Sequence, residues 1–311
     1  MKINLALLNN SPFDVSYEIQ SLSDLLGENS IDYGVTKSLE RGALNIVIGN
    51  FNKKAVQQIN EFCMETNGKI VVLMTEHIDF YQGQFVLHGK KLYEPHSYLS
   101  EVRRQRLLDL ISLKPCIYCF FRIGDFPELN GLSASFTEIP VQKLNFAQIK
   151  LDSVTIKKLK KSIIWDYDCS FTGNLTNHRA KLLKEIKSRM KLSVNNETPP
   201  LDKGNSLSKS AKFVLDIPQH ADSKWNSPMC IYMALKSNRP VISLSTQKLL
   251  GESGHIGLKA QNVEDLEMFI RQENWLEVLE SQVRQFNAHQ NRADYFANPS
   301  VILQQYKFLY N

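Results

Sequence analysis

The chain has 311 residues, 43% hydrophobic and 22% charged, a balance that excludes bulk disorder and suits two domains of about 150 residues each. Its formal charge of +5 is spread along the sequence apart from the cluster Lys157, Lys158, Lys160 and Lys161, so the charge does not call for a nucleic-acid partner. No window approaches the ~18 uninterrupted apolar residues of a membrane-spanning helix, and the first apolar stretch is too short for a signal peptide. The expectation is a cytoplasmic protein, with at most a peripheral contact at the inner membrane face.

In chain order, short apolar runs predict strands over Leu5–Leu8, Leu44–Ile48, Ile70–Met74 and Cys116–Phe121. Helix-period segments at 16–26, 53–65 and 97–112 fall between them. This β-α-β cadence predicts a parallel sheet covered on both faces. A Lys-rich amphipathic helix, Asp152–Ile164, then joins two halves, which places a domain boundary near residue 150. Its lysines read as a solvated face beside a buried stripe of Val154, Ile156, Leu159 and Ile163, the alternative being an interfacial membrane or lipid-phosphate contact.

The second half repeats the alternation: strand Cys169–Thr172, helix Asn177–Met190, a loop over 195–209, strand Phe213–Ile217, helix Ser227–Lys236 and strand Pro240–Leu244. Helices around 263–289 and 298–309 close it. The five cysteines are an odd set, mostly inside apolar runs, as free thiols are in a reducing compartment. Cys116 and Cys119 form a C-x-x-C, but within a strand-like run rather than at the exposed helix start that redox chemistry uses.

Two segments carry candidate chemistry. At Thr172-Gly173-Asn174 an apolar strand turns through a glycine into a helix, a geometry that turns backbone N–H groups and a positive helix end toward an anion. Thr176 or Asn177 suits the cap, and Arg179 in the first turn adds charge-assisted contacts to a phosphate. The second segment runs from Asp216 through a polar loop to Ser227-Pro228, with Ser227 or Asn226 as cap, Lys224 as a point charge and His220 as a further polar group. Two helix ends at one sheet edge would suit a diphosphate. Metal binding has no support, because there is no H-E-x-x-H, the seven histidines are scattered, and the one D-x-D, Asp166-Tyr-Asp168, leads into a strand.

The run Ser208–Ser243 resembles the C-terminal donor-binding region of group 1 glycosyltransferases of the GT-B superfamily. The Phe171–Asn174 turn with Arg179 is similar to the entry strand and helix of that domain in the bacterial spore-coat-type branch. The resemblance implies an α/β fold of two Rossmann-like domains facing a cleft, residues 1–150 on the acceptor side and 151–311 on the donor side. It implies a nucleotide-sugar donor, no separate cofactor, and a glycan, lipid-linked or protein acceptor, as in surface-polysaccharide biosynthesis or protein glycosylation. Thr172, Gly173, Asn174, Arg179, His220, Lys224, Asn226 and Ser227 are the implied donor-site residues. Catalytic candidates come from the N-terminal half: Asp14 after the first strand, and Glu76 and His77 after the strand ending at Met74.

The sequence departs from the family where relatives carry an arginine and, one turn on, a glutamate that contacts the donor ribose; here Cys230 and Met233 stand there. That departure favours a rival, a non-catalytic GT-B-like module binding a nucleotide-sugar, a glycan or a partner protein; a nucleotide-sugar epimerase, which shares the two-domain architecture, is a further alternative.

Overall fold

The computed structural model describes residues 2–8, 16–48, 52–74, 78–81, 84–87, 90–91, 105, 108–124, 136, 138–161, 165–173, 175–195, 210–219, 221, 227–247, 256–291 and 301. The chain divides into two compact units, Met1–Ala147 with Ala293–Asn311, and Gln148–Arg292. No helix among the described residues is long and apolar enough to cross a membrane.

The first unit opens with β1 (Ile3–Ala6), α1 (Ser16–Glu28), β2 (Tyr33–Thr36), β3 (Leu44–Ile48), α2 (Lys53–Thr66) and β4 (Ile70–Leu73). A small antiparallel sheet follows, β5 (Ile78–Tyr81), β6 (Gln84–Leu87) and β7 (Lys90–Lys91), and then β8 (Ile117–Ile123) and β9 (Val141–Leu144). The main sheet is parallel with order β2-β1-β3-β4-β8-β9. Every residue of β1, β3 and β4 is buried, as expected of strands covered on both faces. The α2 helix turns Ala55 and Ile59 onto the face that carries Ala6, Val47, Val72 and Phe120. Cys116 lies in a single 3₁₀ turn just before β8 rather than in the strand, and its thiol donates to Asn60 Oδ1 at 3.2 Å. Cys119 is buried in β8.

Two asparagines sit fully buried in this sheet because each bonds in several directions. Asn4 Nδ2 donates to Asn45 Oδ1 and to the Ser38 carbonyl, both at 2.8 Å, and Asn4 Oδ1 accepts from Thr36 Oγ1. Asn45 Nδ2 reaches the carbonyls of Glu40 and Ala43. A buried polar network satisfied this fully rigidifies its surroundings, here the connection from β2 to β3.

The second unit begins with α3 (Ser153–Lys161), capped by Asp152, whose Oδ1 accepts the Thr155 amide at 2.7 Å. That bond holds the exposed Asp152 carboxyl below the usual range. Lys157, Lys158 and Lys160 are exposed while Ile156 and Leu159 are half-buried, the solvated-face arrangement. Then come β10 (Tyr167–Thr172), α4 (Asn177–Arg189), β11 (Leu192–Asn195), β12 (Ala211–Asp216), α5 (Pro228–Lys236), β13 (Val241–Leu244), β14 (Leu258–Ala260), α6 (Val263–Gln272) and α7 (Trp275–Gln290). All five strands are parallel, in the order β11-β10-β12-β13-β14.

The apolar α5 packs on β12, β13 and α7, with Tyr232 stacked on Phe286 at 5.9 Å between ring centroids. At the amino edge, the Arg239 guanidinium lies 4.4 Å from the Trp165 ring centre, and Trp165 meets Trp275 edge-on. Two amide side chains of α7 clamp the backbone. Gln282, 3% exposed, accepts from the Val241 amide at 2.8 Å and donates to the Val241 carbonyl at 2.9 Å. Asn287 makes the same reciprocal pair with Ile149, at 3.0 and 2.9 Å. Since β13 and β14 pair only from Ile242 onward, Gln282 acts as a one-residue extension of the neighbouring strand. Gly257, at φ 117°, passes close beside this clamp; a Cβ there would stand 3.4 Å from the Val241 carbonyl oxygen.

Candidate functional site

In the second sheet the strand order reverses between β10 and β12, so the crevice at their carboxyl ends is the topological switch point where open α/β sheets bind ligands. Both expected segments converge there. Thr172 ends β10, and Gly173 follows at φ 147°, a backbone region that only glycine enters without strain. Thr176 caps α4 by accepting the Arg179 amide at 3.3 Å, and its hydroxyl donates to the Gln219 carbonyl at 2.6 Å, tying α4 to the chain beyond β12.

Arg179 spans the same gap. Its Nε donates to the Ile217 carbonyl at 2.8 Å, its guanidinium lies over the Phe171 ring at 5.2 Å, and its Nη1 stands 3.4 Å from where a Cβ on Gly173 would be. The glycine therefore leaves room for the guanidinium, and the half-buried charge lies across the carboxyl ends of both strands. Burial draws the Arg179 pKa below its usual value, with Asp216 acting in the opposite sense; an arginine remains protonated throughout.

Two expected donors point elsewhere. The Gly173 amide donates to the Asn195 carbonyl at 3.0 Å, extending the β10–β11 ladder instead of facing the crevice. The start of α5 is largely satisfied from within. Ser227 caps it by accepting the Cys230 amide at 3.2 Å, the Ile231 amide donates to the Ser227 carbonyl, Pro228 has no N–H, and the Ser227 amide donates to Asp216 Oδ2 at 3.3 Å. The positive end of α5 thus already holds an anion, the carboxylate of Asp216. What this edge offers an incoming anion is the first turn of α4 and Arg179.

Asp216 closes β12 at 4% exposure; in sequence it is the one polar residue of the run Phe213–Ile217, at the point where the polar loop begins. The Ser227 amide and the Ser243 hydroxyl bond its carboxyl, and Arg179 attracts it, yet burial wins and pushes its pKa up to about 6. Cys230 lies across from it: part of the residue reaches the surface, but its Sγ faces inward toward the Leu215 carbonyl at 4.0 Å. Burial, reinforced by Asp216, pushes the Cys230 thiol well above its usual range, so it is neutral and a poor nucleophile. Met233, one turn on, is buried. Asp14, Glu76, His77, Asn174, His220, Lys224 and Asn226 lie outside the described residues.

The raised Asp216 pKa makes a stability prediction. Between pH 4 and 6, roughly, the folded chain keeps a proton that the unfolded chain, ionising near ~3.9, has lost, so stability from this group falls as pH rises through that window. Above it the ionised carboxylate opposes folding by about 3 kcal/mol, at ~1.4 kcal/mol per pH unit. Asp216→Asn keeps an acceptor for the Ser227 amide and a partner for Ser243. It is expected to be more stable than wild type at pH 7, by up to about 3 kcal/mol, and to match it near pH 4. Urea unfolding at both pH values checks this, and equal stability at pH 7 would contradict it.

No protein-family model and no curated protein sequence matches the chain. Among solved structures, a β-glucosyltransferase described as a DNA-modifying enzyme, determined with and without its substrate uridine diphosphoglucose, aligns with 93% of this chain and 95% of its own at a TM-score of 0.52 and 12% identity. The fold is that of the GT-B glycosyltransferases. AviGT4, a glycosyltransferase of avilamycin A biosynthesis, aligns with 94% of this chain and 99% of its own at 13% identity and a TM-score of 0.40. An α1,3-fucosyltransferase aligns with 96% and 92%, at 13% identity and 0.39. Within this GT-B fold, the candidate site belongs wholly to the second unit.

Proposed function

We propose that this chain is a glycosyltransferase that moves a sugar from a nucleotide-sugar to an acceptor hydroxyl, with the donor diphosphate held at the carboxyl edge of the second sheet. The observation that carries this reading is Arg179, anchored by Ile217 and Phe171 beside Gly173 at the β10–β12 switch point. A guanidinium fixed there, next to the positive end of α4, suits a group carrying two phosphates. The similarity in fold to an enzyme whose substrate is uridine diphosphoglucose supports the donor class.

In this mechanism the chain binds the donor, orients the sugar and neutralises the charge that builds on the departing diphosphate. Arg179 and the first turn of α4 supply that stabilisation, with Lys224 from the loop before α5. Asp14, Glu76 or His77 takes the proton of the acceptor hydroxyl, and that acceptor is a glycan, a lipid-linked sugar or a protein. No resident metal is invoked for the diphosphate.

One observation favours a second reading, a non-catalytic nucleotide-sugar-binding module. The inward-facing Cys230 Sγ and the buried Met233 leave the first turns of α5 without an acidic group for a ribose. Calorimetric titration with UDP-, GDP-, CMP- and TDP-sugars, followed by assay of nucleotide release with candidate acceptors, separates the two. The transferase reading expects one nucleotide class to bind saturably and to be turned over. Binding without turnover of any acceptor would move the assignment to the module, and no binding by any class would remove the donor site itself.

A further inference from the structure

The crevice at the β10–β12 switch point already contains a resident anion. Asp216 is buried at the end of β12, its carboxyl bonded to the amide at the start of α5 and to the Ser243 hydroxyl on β13, with the Arg179 guanidinium of α4 as the cation acting on it. Among the described residues the charged or titratable groups acting on Asp216 are Arg179 from α4 and Cys230 from α5; the thiol is neutral. The Arg179 Nε is engaged with the carbonyl of Ile217, the residue after Asp216, so the guanidinium is anchored in the crevice where it attracts the carboxylate. A diphosphate arriving at Arg179 therefore shares one cation with a buried carboxylate, in a setting where like charges interact strongly.

We propose that Asp216 is a proton-accepting partner of the donor site: when a nucleoside-diphosphate sugar binds at Arg179, the buried carboxylate takes up a proton from solvent. The proposal rests on the donor-site reading and adds the group that adjusts the charge of the site. The balance is one proton from solvent onto one carboxylate oxygen, with the diphosphate offsetting the charge of Arg179 that favours the ionised carboxyl. With the carboxyl of the free protein titrating near 6, it is mostly ionised at pH 7, and the added negative charge lifts it toward neutrality. By linkage, affinity for the donor rises as pH falls from 8 to 6, by roughly tenfold, and levels off below the pKa of the free protein. When the product diphosphate leaves, the proton leaves with it, so Asp216 acts through the charge of Arg179 and does not touch the sugar.

The test is calorimetry of UDP-glucose, with GDP-mannose as second probe, at pH 7 in two buffers of different ionisation enthalpy. A nucleotide-sugar diphosphate has no proton of its own to exchange between pH 6 and 8, so any uptake belongs to the protein. The wild type is expected to take up a substantial fraction of one proton per ligand, and to bind roughly tenfold more tightly at pH 6 than at pH 8. Asp216→Asn is expected to bind without uptake and with a flat pH profile. Binding by the wild type with no uptake, or uptake that persists in Asp216→Asn, would overturn the proposal and leave the donor site standing. No binding by these probes or by any other of the four nucleotide classes would overturn both. Should Asp216→Asn fail to fold, the difference infrared spectrum of the wild type decides: a protonated-carboxyl band should appear on adding the ligand, and its absence overturns the proposal.

Discussion

Arg179→Ala is expected to weaken nucleotide-sugar binding about 30-fold, the effect of losing roughly 2 kcal/mol of charge-assisted hydrogen bonding to phosphate. The variant also leaves the Ile217 carbonyl without the Nε donor and the Phe171 face uncovered, so its melting temperature should fall. Arg179→Lys separates the two losses. An ammonium restores the charge but cannot donate to Ile217, lie flat on Phe171 and present further N–H groups to a phosphate at once. It should therefore recover only part of the affinity. Calorimetry of the folded variants measures this directly. Wild-type affinity in Arg179→Ala would place the phosphates elsewhere, and wild-type affinity in Arg179→Lys would show that the charge alone matters.

Gln282→Ala is expected to destabilise the second unit by about 3 kcal/mol, the largest single loss foreseen away from the site. The side chain satisfies both the amide and the carbonyl of Val241 at the point where β14 has not yet begun, and both groups are buried with it. Truncation orphans a donor and an acceptor together, each carrying a desolvation penalty of about 1–3 kcal/mol. Gln282→Glu retains the acceptor, loses the donor and buries a charge, so it should do no better at neutral pH. Urea unfolding followed by tryptophan fluorescence reads this unit, because Trp165 and Trp275 both lie in it. A loss below about 1 kcal/mol in Gln282→Ala would mean that water replaces the amide.

Which parts of the fold were legible in the sequence follows from burial. The central strands β3, β4 and β12 announce themselves because burial on both faces demands uninterrupted apolar residues. Strands β2, β9, β11 and β14 carry no clear apolar run, since Tyr33-Gly-Val-Thr, Val141-Gln-Lys-Leu, Leu192-Ser-Val-Asn and Leu258-Lys-Ala lie at sheet edges, where exposure removes it. The first strand begins at Ile3 rather than Leu5, because Asn4 is polar in sequence yet fully buried by its own network. At the site, the glycine turn, the Thr176 cap and the Ser227 cap were readable from residue type and position. Asp216 was not, since a carboxylate at the end of an apolar run signals the surface, and only the fold shows the Ser227 amide, Ser243 and Arg179 closing over it.

The two amide clamps of α7 bear on how the second unit comes to be made. Asn287 grips Ile149 across 138 positions of sequence, and Gln282 completes β13 across 41, so the last helix of the unit fastens both its first segment and its open strand. Closing a ring of the larger size carries an entropic penalty of roughly 4 kcal/mol, which the helix can offset only once it is available to dock. During synthesis the parallel strands emerge well before their fastener does. Until α7 is out of the ribosome, the amide and carbonyl of Val241 that face the β14 side lack the partner Gln282 gives them, and the growing chain depends on not finding another edge first.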